Sequence, residues 1–251
     1  MYDFKRHSIE AQENLKFWEQ KPVLHTIYDD FYSLIAGQLN QSIDGKTVEI
    51  GSGIGNIKKH IPHCICTDAF ENPWIDQVEN AYKLSFEDEE VSNIILFDVW
   101  HHLEFPVLVL KEFQRVLKKN GRIIIFEPYI SLLGWMVYGI FHPENVGWFK
   151  KININDPIVD INKLPYYAAQ GNATRFFLRK KYRPCLSGFS IEYIEKKAAI
   201  AYVLSGGYSK KQLFPDKYYP KIKKFETWVK IMPSLFATRL LIVLEKRNST
   251  K

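Results

Sequence analysis

Three closely spaced glycines carry the clearest chemical signal in this chain of 251 residues. Segment 47–50 is typical of a short strand, and Gly51, Gly53 and Gly55 follow it directly. Glycine is needed where the backbone adopts a positive φ or must approach a ligand closely. A dinucleotide-binding fingerprint would have its third glycine at position 56, which is Asn, and a P-loop would continue with Gly-Lys-Ser/Thr. The spacing disfavours NAD, FAD and a P-loop, and leaves another cofactor or a plain strand–turn–helix connection.

An acidic residue follows the glycine loop in a position that suits nucleoside binding. Asp68 ends the next predicted strand, 17 residues after Gly51. A carboxylate there can accept hydrogen bonds from both ribose hydroxyls of an adenosine. An ordinary solvated aspartate is the alternative, and the pairing with the glycine loop favours the ribose-binding interpretation.

Side chains that can move a proton follow two apolar runs further along the chain. His101 and His102 come soon after the run 93–97, and Glu127 ends a later run. Histidine titrates near neutral pH, which suits a general base. The full set of candidate bases is His101, His102, Glu127, Tyr129 and His142. We favour His102, with structural packing or solvation of these groups as the alternative.

The elements that must position these residues alternate between strands and helices. Apolar residues at helical spacing predict helices at 8–40 (two, broken near Pro22), 56–60, 106–117 and 215–231. Buried apolar runs predict strands at 47–50, 64–67, 93–97, 122–126, 190–199 and 238–244. This alternation indicates a parallel sheet with helices on both faces.

Five motifs in the same order resemble one known family. They are Glu49 to Gly55, Asp68, Asn80 to Phe86, Ile94 to His102, and Arg115 to Arg122. Over about residues 46–128 the sequence is similar to class I S-adenosylmethionine-dependent methyltransferases, especially the small-molecule "methyltransferase type 11" branch. It departs from the family pattern at Asn80 for Asp, Ser85 for Pro, and Asn120 for Gly or Pro.

The resemblance implies both a fold and a cofactor. The expected fold is α/β, a Rossmann-like doubly wound sheet of seven strands, mostly parallel with the last strand antiparallel, and a helical or irregular insertion after the fifth strand. The expected cofactor is S-adenosylmethionine, which leaves S-adenosylhomocysteine as product, and no metal site is predicted. The implied cofactor-binding residues are Glu49, Gly51, Ser52, Gly53, Gly55, Asp68, Asn80, Ala81 and Phe97. Asn80 keeps a carbonyl acceptor for the adenine amino group. The candidate catalytic residues, which rest on their types and positions in the chain, are His102, His101 and Glu127.

The resemblance and the element pattern together divide the chain into four parts. Residues 1–45 are expected to form N-terminal helices over the active site, and 46–128 the S-adenosylmethionine-binding core. Residues 129–185 are expected to be an insertion that covers the acceptor, and 186–251 the C-terminal part of the sheet.

Charge is divided unevenly between the two halves of the chain. Its formal net charge is +6. Residues 1–128 carry 13 basic and 20 acidic side chains, whereas residues 129–251 carry 21 basic and 8 acidic ones. The acidic half would attract the cationic sulfonium of the cofactor. The basic half would attract an anionic acceptor, so the prediction includes acceptors of that class. Cations alternate with rings in 175–183, a pattern that suits nucleic acid, phosphorylated sugars or anionic lipid headgroups, or rings in a core with solvated lysines.

Composition limits the class of protein. The hydrophobic fraction of 46% fits a globular chain, and three cysteines are too few for a disulfide framework. No signal peptide is visible. The uncharged run 129–141 has about 13 residues, whereas a spanning helix needs about 20. We therefore expect a cytoplasmic protein without a transmembrane segment, with contact at a membrane surface left open.

The predicted function is transfer of a methyl group from S-adenosylmethionine to a small or glycan-like acceptor, an anionic one included. Glu127-Pro128 and the segment 141–144 resemble bacterial methyltransferases of surface-polysaccharide synthesis. The alternatives are a methyltransferase acting on RNA or a lipid-linked substrate, and a non-catalytic subunit that binds S-adenosylmethionine.

Overall fold

The computed structural model describes residues 4–141, 146–155 and 166–247. Its strands are β1 Lys46–Ile50, β2 Ile65–Asp68, β3 Gln77–Val78, β4 Val91–Phe97, β5 Leu117–Pro128, β6 Phe189–Lys197 and β7 Arg239–Lys246. They form one sheet in the order β3-β2-β1-β4-β5-β7-β6. β7 runs antiparallel to both of its neighbours, and the other neighbouring strands are parallel. The predicted fold class and its antiparallel last strand are confirmed.

The helices lie before, between and after the strands. They are α1 Phe4–Gln20, α2 Pro22–Ala36, α3 Pro106–Val116, α4 Leu132–Met136, α5 Asn172–Leu178, α6 Ile200–Ser205, α7 Tyr219–Val229 and α8 Pro233–Phe236. Proline at the first turn of α2, α3, α7 and α8 fits its fixed φ and missing N–H. None of the described helices is both long and apolar enough to cross a membrane.

The centre of the sheet is apolar because it is covered on both faces. Every residue of β4 is buried, as expected for a central parallel strand. On one face α3 and α5 pack against β4, β5 and β7, and the apolar core there includes Val109, Phe113, Phe176, Phe177 and Leu240. Each such side chain, when fully buried, contributes roughly 1.5–3 kcal/mol.

The other face is covered by the N-terminal helix α2. Its apolar residues follow helical spacing, and Ile27, Phe31 and Ile35 are buried against strands that include β4 and β7. The helix predicted after the glycine loop is only one 3₁₀ turn, Asn56–Lys59. Because this connection is only one turn long, the apolar cover over the glycine loop comes from α2, which precedes the sheet in the chain.

Between β5 and β6 the described residues form α4, a π-helical turn Val137–Phe141, α5 and a 3₁₀ segment Lys180–Leu186. The ring of Trp100 lies 4.7 Å from that of Phe177, measured between centroids, and joins α5 to the loop after β4. Phe176, Phe177 and Tyr182 are buried, while Lys180 and Lys181 are exposed. The alternation of rings and cations in 175–183 therefore separates core from surface. His142 lies outside the described residues.

Candidate functional site

The glycine loop leaves β1 with three positive φ angles, at Gly51, Gly53 and Gly55. A Cβ on Gly51 would lie 2.5 Å from Cγ2 of Val99, so a side chain there would collide with the loop after β4. At Gly53 (φ +54°) a Cβ would meet nothing within 4 Å. The loop therefore packs closely at its base and faces open space at its tip, as a ligand-binding turn requires.

Glu49 is buried beneath this loop with an unused hydrogen-bonding atom. Its side chain is 1% exposed, and Oε2 has no hydrogen-bond partner. Burial, together with the nearby Cys66 and Asp68, raises the pKa of Glu49 to about 8. A buried acceptor without a partner costs about 1–3 kcal/mol, so a cationic or N–H-bearing ligand would relieve that cost.

Asp68 ends β2 and lies against the glycine loop. Its side chain is buried, and Oδ2 accepts a hydrogen bond from the Gly53 amide at 3.2 Å. The backbone of Ser52 is tied to the same strand end through its amide and the carbonyl of Thr67, at 2.8 Å. The predicted ribose-binding carboxylate and the predicted cofactor loop are therefore in direct contact.

A cavity of about 930 Å³ opens at the carboxyl ends of the parallel strands, where ligands bind in sheets of this kind. The predicted site residues that line it are Glu49, Gly51, Ser52, Gly53, Phe97, His101 and His102. Gly55, Asp68, Asn80, Ala81 and Glu127 lie outside the lining. The side-chain Oδ1 of Asn80 accepts a hydrogen bond from the Tyr82 amide at 2.9 Å, so Asn80 caps its own turn. Ala81 is buried in the core.

His101 and Glu127 form a buried pair. Nδ1–H of His101 donates to Oε2 of Glu127 at 2.8 Å, and its Nε2 accepts from the Gln170 amide nitrogen at 3.0 Å. Glu127 Oε1 also accepts the Trp100 amide at 2.6 Å. Burial raises the pKa of Glu127, and His101 opposes the shift. Because both ring nitrogens of His101 are engaged, this pair is suited to holding the loop 100–102 in place.

The ring of His102 is hydrogen-bonded to a backbone carbonyl. It is half-buried in the cavity wall, and its Nδ1 lies 3.0 Å from the carbonyl oxygen of Tyr167. A carbonyl oxygen can only accept, so Nδ1 carries the proton and Nε2 is the basic nitrogen of the neutral ring. The ring of His101 supports that of His102, with 4.1 Å between centroids.

An ion pair in the cavity wall, between a buried arginine and a part-exposed aspartate, was not predicted from the sequence. Nη1 of Arg239, at the start of β7, donates to Oδ1 of Asp98, directly after β4. The Arg239 side chain is 1% exposed, and its guanidinium carbon lies 4.4 Å from the ring centroid of Tyr202. Asp98 has a positive φ of 58°, an uncommon conformation that Asp tolerates better than most residues. The sequence signal for the pair was that Asp98 and Arg239 each stand at one end of a predicted apolar strand.

Five tyrosines line the cavity, and Tyr28, Tyr202 and Tyr208 are grouped together in its wall. The ring centroid of Tyr28 lies 5.3 Å from that of Tyr208 and 6.2 Å from that of Tyr202. The hydroxyl oxygen of Tyr208 accepts a hydrogen bond from Asn56 at 3.3 Å. Burial raises the pKa of all three phenols, so they stay neutral and offer hydroxyl groups. No specific sequence signal marks them, because helical spacing makes Tyr28 indistinguishable from a core residue.

Lys21 fastens one wall of the cavity. Its ammonium group donates to three backbone carbonyls, those of Ser205 at 3.0 Å, Gly207 at 2.6 Å, and Lys210. Burial lowers the pKa of Lys21. The segment 206–211, which lines the cavity, is thereby attached to the junction of α1 and α2.

The described residues contain no group of His, Cys, Asp and Glu side chains that could hold a metal ion. All three cysteines are free thiols. The available chemistry is therefore a glycine loop, a buried carboxylate, two histidines and an arginine–aspartate pair around one cavity.

Comparison with known proteins bears on the same part of the chain. A family model described as a methyltransferase domain matches residues 48–125, the range that contains the five motifs. No curated protein matches the sequence.

Solved structures of similar fold were found at low sequence identity. One is geranyl diphosphate C-methyltransferase from Streptomyces coelicolor A3(2), solved with Mg²⁺, geranyl diphosphate and S-adenosyl-L-homocysteine (TM-score 0.53, 11% identity, 89% of this chain and 80% of that chain covered). Another comes from the complex of the Haloferax volcanii methyltransferase activator Trm112 with a protein assigned as a methyltransferase (TM-score 0.51, 14% identity, 87% and 89% covered). At these identities the likeness is one of fold.

Proposed function

We propose that the chain, whose residues 48–125 match a methyltransferase domain, is a class I S-adenosylmethionine-dependent methyltransferase that methylates a small, polar acceptor held in the cavity. The observation that carries the proposal is the continuity of that cavity. It extends from the glycine loop with Glu49 to His102 and the Asp98–Arg239 pair. A cavity of about 930 Å³ is large enough for two small ligands side by side.

The residues around the glycine loop fit S-adenosylmethionine. Gly53 faces open space, so an adenosine can approach the backbone there. Glu49 offers an unpartnered buried oxygen to the cationic methionine end, and Asp68 lies next to the loop as the candidate for the ribose hydroxyls. When bound, the cofactor supplies a methyl group on a sulfonium, which makes the sulfur a good leaving group.

The remaining cavity wall favours an acceptor with hydroxyl groups or an anionic group. Its polar groups include the Asp98 carboxylate, the Arg239 guanidinium and the phenols of Tyr28, Tyr202 and Tyr208. The phenols are neutral donors and acceptors, and the guanidinium is held in place by its ion pair. Groups fixed in this way need little reordering when they bind a ligand, which favours orientation of a polar acceptor.

His102 is our candidate for the general base. The bond from Nδ1–H to the Tyr167 carbonyl fixes the tautomer that leaves Nε2 basic. His101, held by Glu127 and Gln170, positions the ring of His102 from behind. Removal of a proton from an acceptor hydroxyl by such a base contributes about 10²–10⁴-fold, and alignment of the reacting groups contributes roughly 7–11 kcal/mol.

The nucleic-acid alternative has less support from the residues that suggested it. Phe176, Phe177 and Tyr182 are buried and so cannot stack on bases. Arg175 is buried as well, and its guanidinium donates to the carbonyls of Gly147 and Lys150. A filter-binding assay with tRNA tests this alternative, because binding through phosphates would weaken steeply with salt.

Calorimetry with S-adenosylmethionine and S-adenosylhomocysteine tests the proposal at its first step. Gly53→Asp places a side chain in the open space at φ +54°, and we expect affinity for both to fall about 100-fold or more. Gly37→Asp is the matched control, because Gly37 is exposed with φ −65° and ordinary neighbour distances. Unchanged affinity in Gly53→Asp would refute the placement of the cofactor.

The acceptor is then sought by incubating the protein and S-adenosylmethionine with small hydroxylated and anionic compounds and measuring S-adenosylhomocysteine. Cofactor binding without turnover on any compound would instead support the non-catalytic subunit. No binding of either cofactor form at millimolar concentration would overturn the methyltransferase proposal itself.

A further inference from the structure

The outer surface of α4 and the π turn is apolar. Leu132, Trp135, Met136 and Ile140 are between 45% and 60% exposed. At the start of α4 the Ser131 hydroxyl oxygen caps the helix by accepting a hydrogen bond from the Gly134 amide. The same hydroxyl donates to the Leu235 carbonyl at 3.2 Å, which holds α4 against α8. The exposure is therefore a property of a short helix that is fixed to the protein.

The adjoining surface, from α7 to α8, continues this apolar character. Phe225 and Trp228 lie on the outward side of α7, 47% and 66% exposed. Ile231 and Met232 follow in the connection to α8, with Ile231 78% exposed, and Leu235 on α8 is 40% exposed. Because α4 packs on α8, we call these residues and the four of α4 and the π turn the outer apolar patch. Monomeric proteins rarely expose large contiguous apolar patches without a binding role.

The exposed charged side chains of α7 and of its connection to α8 are lysines, and Asp30 of α2, which lies against α7, pairs with Lys223. Lys221, Lys224 and Lys230 are exposed, and among the described residues none of them pairs with a carboxylate. The acidic residue of α7, Glu226, is buried and directed inward, where it pairs with Lys223 at 3.0 Å and accepts the Ala201 amide. The outward side of α7 therefore combines large apolar side chains with lysines.

This combination fits an anionic membrane surface better than a second copy of the chain. Helices that lie in the membrane interface carry Trp, Phe and Leu with lysines beside them, and tryptophan prefers the headgroup level. Each lysine near an anionic bilayer strengthens the attraction to it. In a symmetric dimer the same lysines of two copies would line one interface, and like charges would oppose association.

We propose that the outer apolar patch docks this protein on anionic lipid bilayers, with Trp228, Ile231 and Trp135 entering the headgroup region and Lys221, Lys224 and Lys230 contacting the headgroups. Met136 belongs to both the patch and the cavity wall. Docking therefore brings the cavity next to the bilayer. The proposal depends on the surface alone and stands whether or not the cavity transfers methyl groups.

Co-sedimentation of the full chain with vesicles tests the docking. Vesicles of phosphatidylcholine alone are compared with vesicles that contain phosphatidylcholine and phosphatidylglycerol in equal amounts. We expect binding to the anionic vesicles that is at least about tenfold stronger and weakens with salt. Absence of binding to anionic vesicles, or equal binding to both kinds, would overturn the proposal.

The apolar contribution is tested with Trp228→Glu/Ile231→Glu. Both side chains are mostly exposed, so the melting temperature should stay unchanged while vesicle binding falls about tenfold or more. Val78→Glu is the control, since Val78 is 50% exposed on the opposite edge of the sheet. Wild-type binding in the double variant would contradict the proposal.

The charge contribution is tested with Lys221→Glu/Lys224→Glu against Lys180→Glu/Lys181→Glu. The two variants change net charge equally, but only the first removes charge from the patch, so only the first should lose its preference for phosphatidylglycerol. Equal loss in both would indicate attraction by net charge and contradict docking at this patch. Sedimentation velocity in parallel detects a dimer. A wild-type dimer that Trp228→Glu/Ile231→Glu dissociates, without vesicle binding, would assign the patch to self-association and overturn the proposal.

Discussion

The two ends of the cavity are built in opposite ways. The loop end, formed by Glu49 and Gly51 to Gly53, comes from a few consecutive residues and contains a buried oxygen without a partner. The opposite end, formed by Asp98, Arg239, Tyr28, Tyr202 and Tyr208, is assembled from remote segments, and Asp98 and Arg239 already pair with each other. In our proposal a ligand completes the first end, whereas the ion pair of the second end is formed before any ligand binds. The end of the cavity that a short stretch of sequence can encode is thus the one where a ligand supplies the missing hydrogen-bond partner.

The largest effect is expected from breaking the paired end. Asp98→Asn leaves the Arg239 guanidinium buried without its counter-charge, and we expect a loss of about 3–5 kcal/mol in the free energy of unfolding. Urea denaturation measures this loss. Asp88→Asn is the control, because Asp88 pairs with Arg115 at the surface with its side chain 77% exposed and should change stability by less than about 0.5 kcal/mol.

A second variant keeps this prediction open to contradiction. Asp98→Asn/Arg239→Met removes both charges and should recover most of the stability, since a buried ion pair replaced by apolar groups is often near neutral. A double variant no more stable than Asp98→Asn would show that the aromatic surroundings of Arg239, and not its charge pairing, carry the stability.

The next effect concerns the junction of the two ends, where His102 lies. His102→Gln should lower kcat by about 10²–10⁴-fold on a hydroxyl acceptor and leave S-adenosylhomocysteine affinity unchanged, because the ring is proposed to act only on the acceptor. The rate of S-adenosylhomocysteine formation measures kcat, and calorimetry measures the affinity. His63→Gln, at an exposed histidine, is the control. Unaltered kcat in His102→Gln would remove it from the chemistry.

The smallest effect belongs to the unpaired carboxyl at the loop end. Burial raises the pKa of Glu49 to about 8, so the carboxyl must lose its proton before it can attract a cation. Affinity for S-adenosylmethionine, whose sulfonium is charged at every pH, should therefore rise about tenfold between pH 6.5 and 8 and then level off. Calorimetry at several pH values measures the rise.

Two variants separate this carboxyl from others in the cavity. Glu49→Gln should bind more weakly at high pH and show no dependence on pH in this range. Glu13→Gln, at an exposed carboxyl that also lines the cavity, should retain the wild-type profile. A pH-dependent Glu49→Gln would show that a different group titrates.

The same contrast explains how much could be predicted from the sequence. Six of the seven strands and the glycine loop with Glu49 and Asp68 were predictable, because strand pattern and glycine spacing are local properties. The two-residue strand β3 had no such pattern, and the count of seven strands came from the family resemblance. The Asp98–Arg239 pair was not, because the two residues are 141 positions apart and meet only through the insertion of β7 beside β5. The helix predicted at 56–60 was located correctly but is a single 3₁₀ turn, Asn56–Lys59.

The strand order has a consequence for how the protein is made. β7 lies between β5 and β6 but follows both in the chain, so a ribosome produces the two outer partners before the strand that joins them. Until β7 emerges, Phe31 and Phe126 lack the arginine that their rings face, and the edge of β5 has no strand beside it. Exposed edges and apolar faces of this kind are typical binding sites for chaperones and starting points for aggregation. The nascent chain should therefore depend on chaperone protection until its final strand is in place.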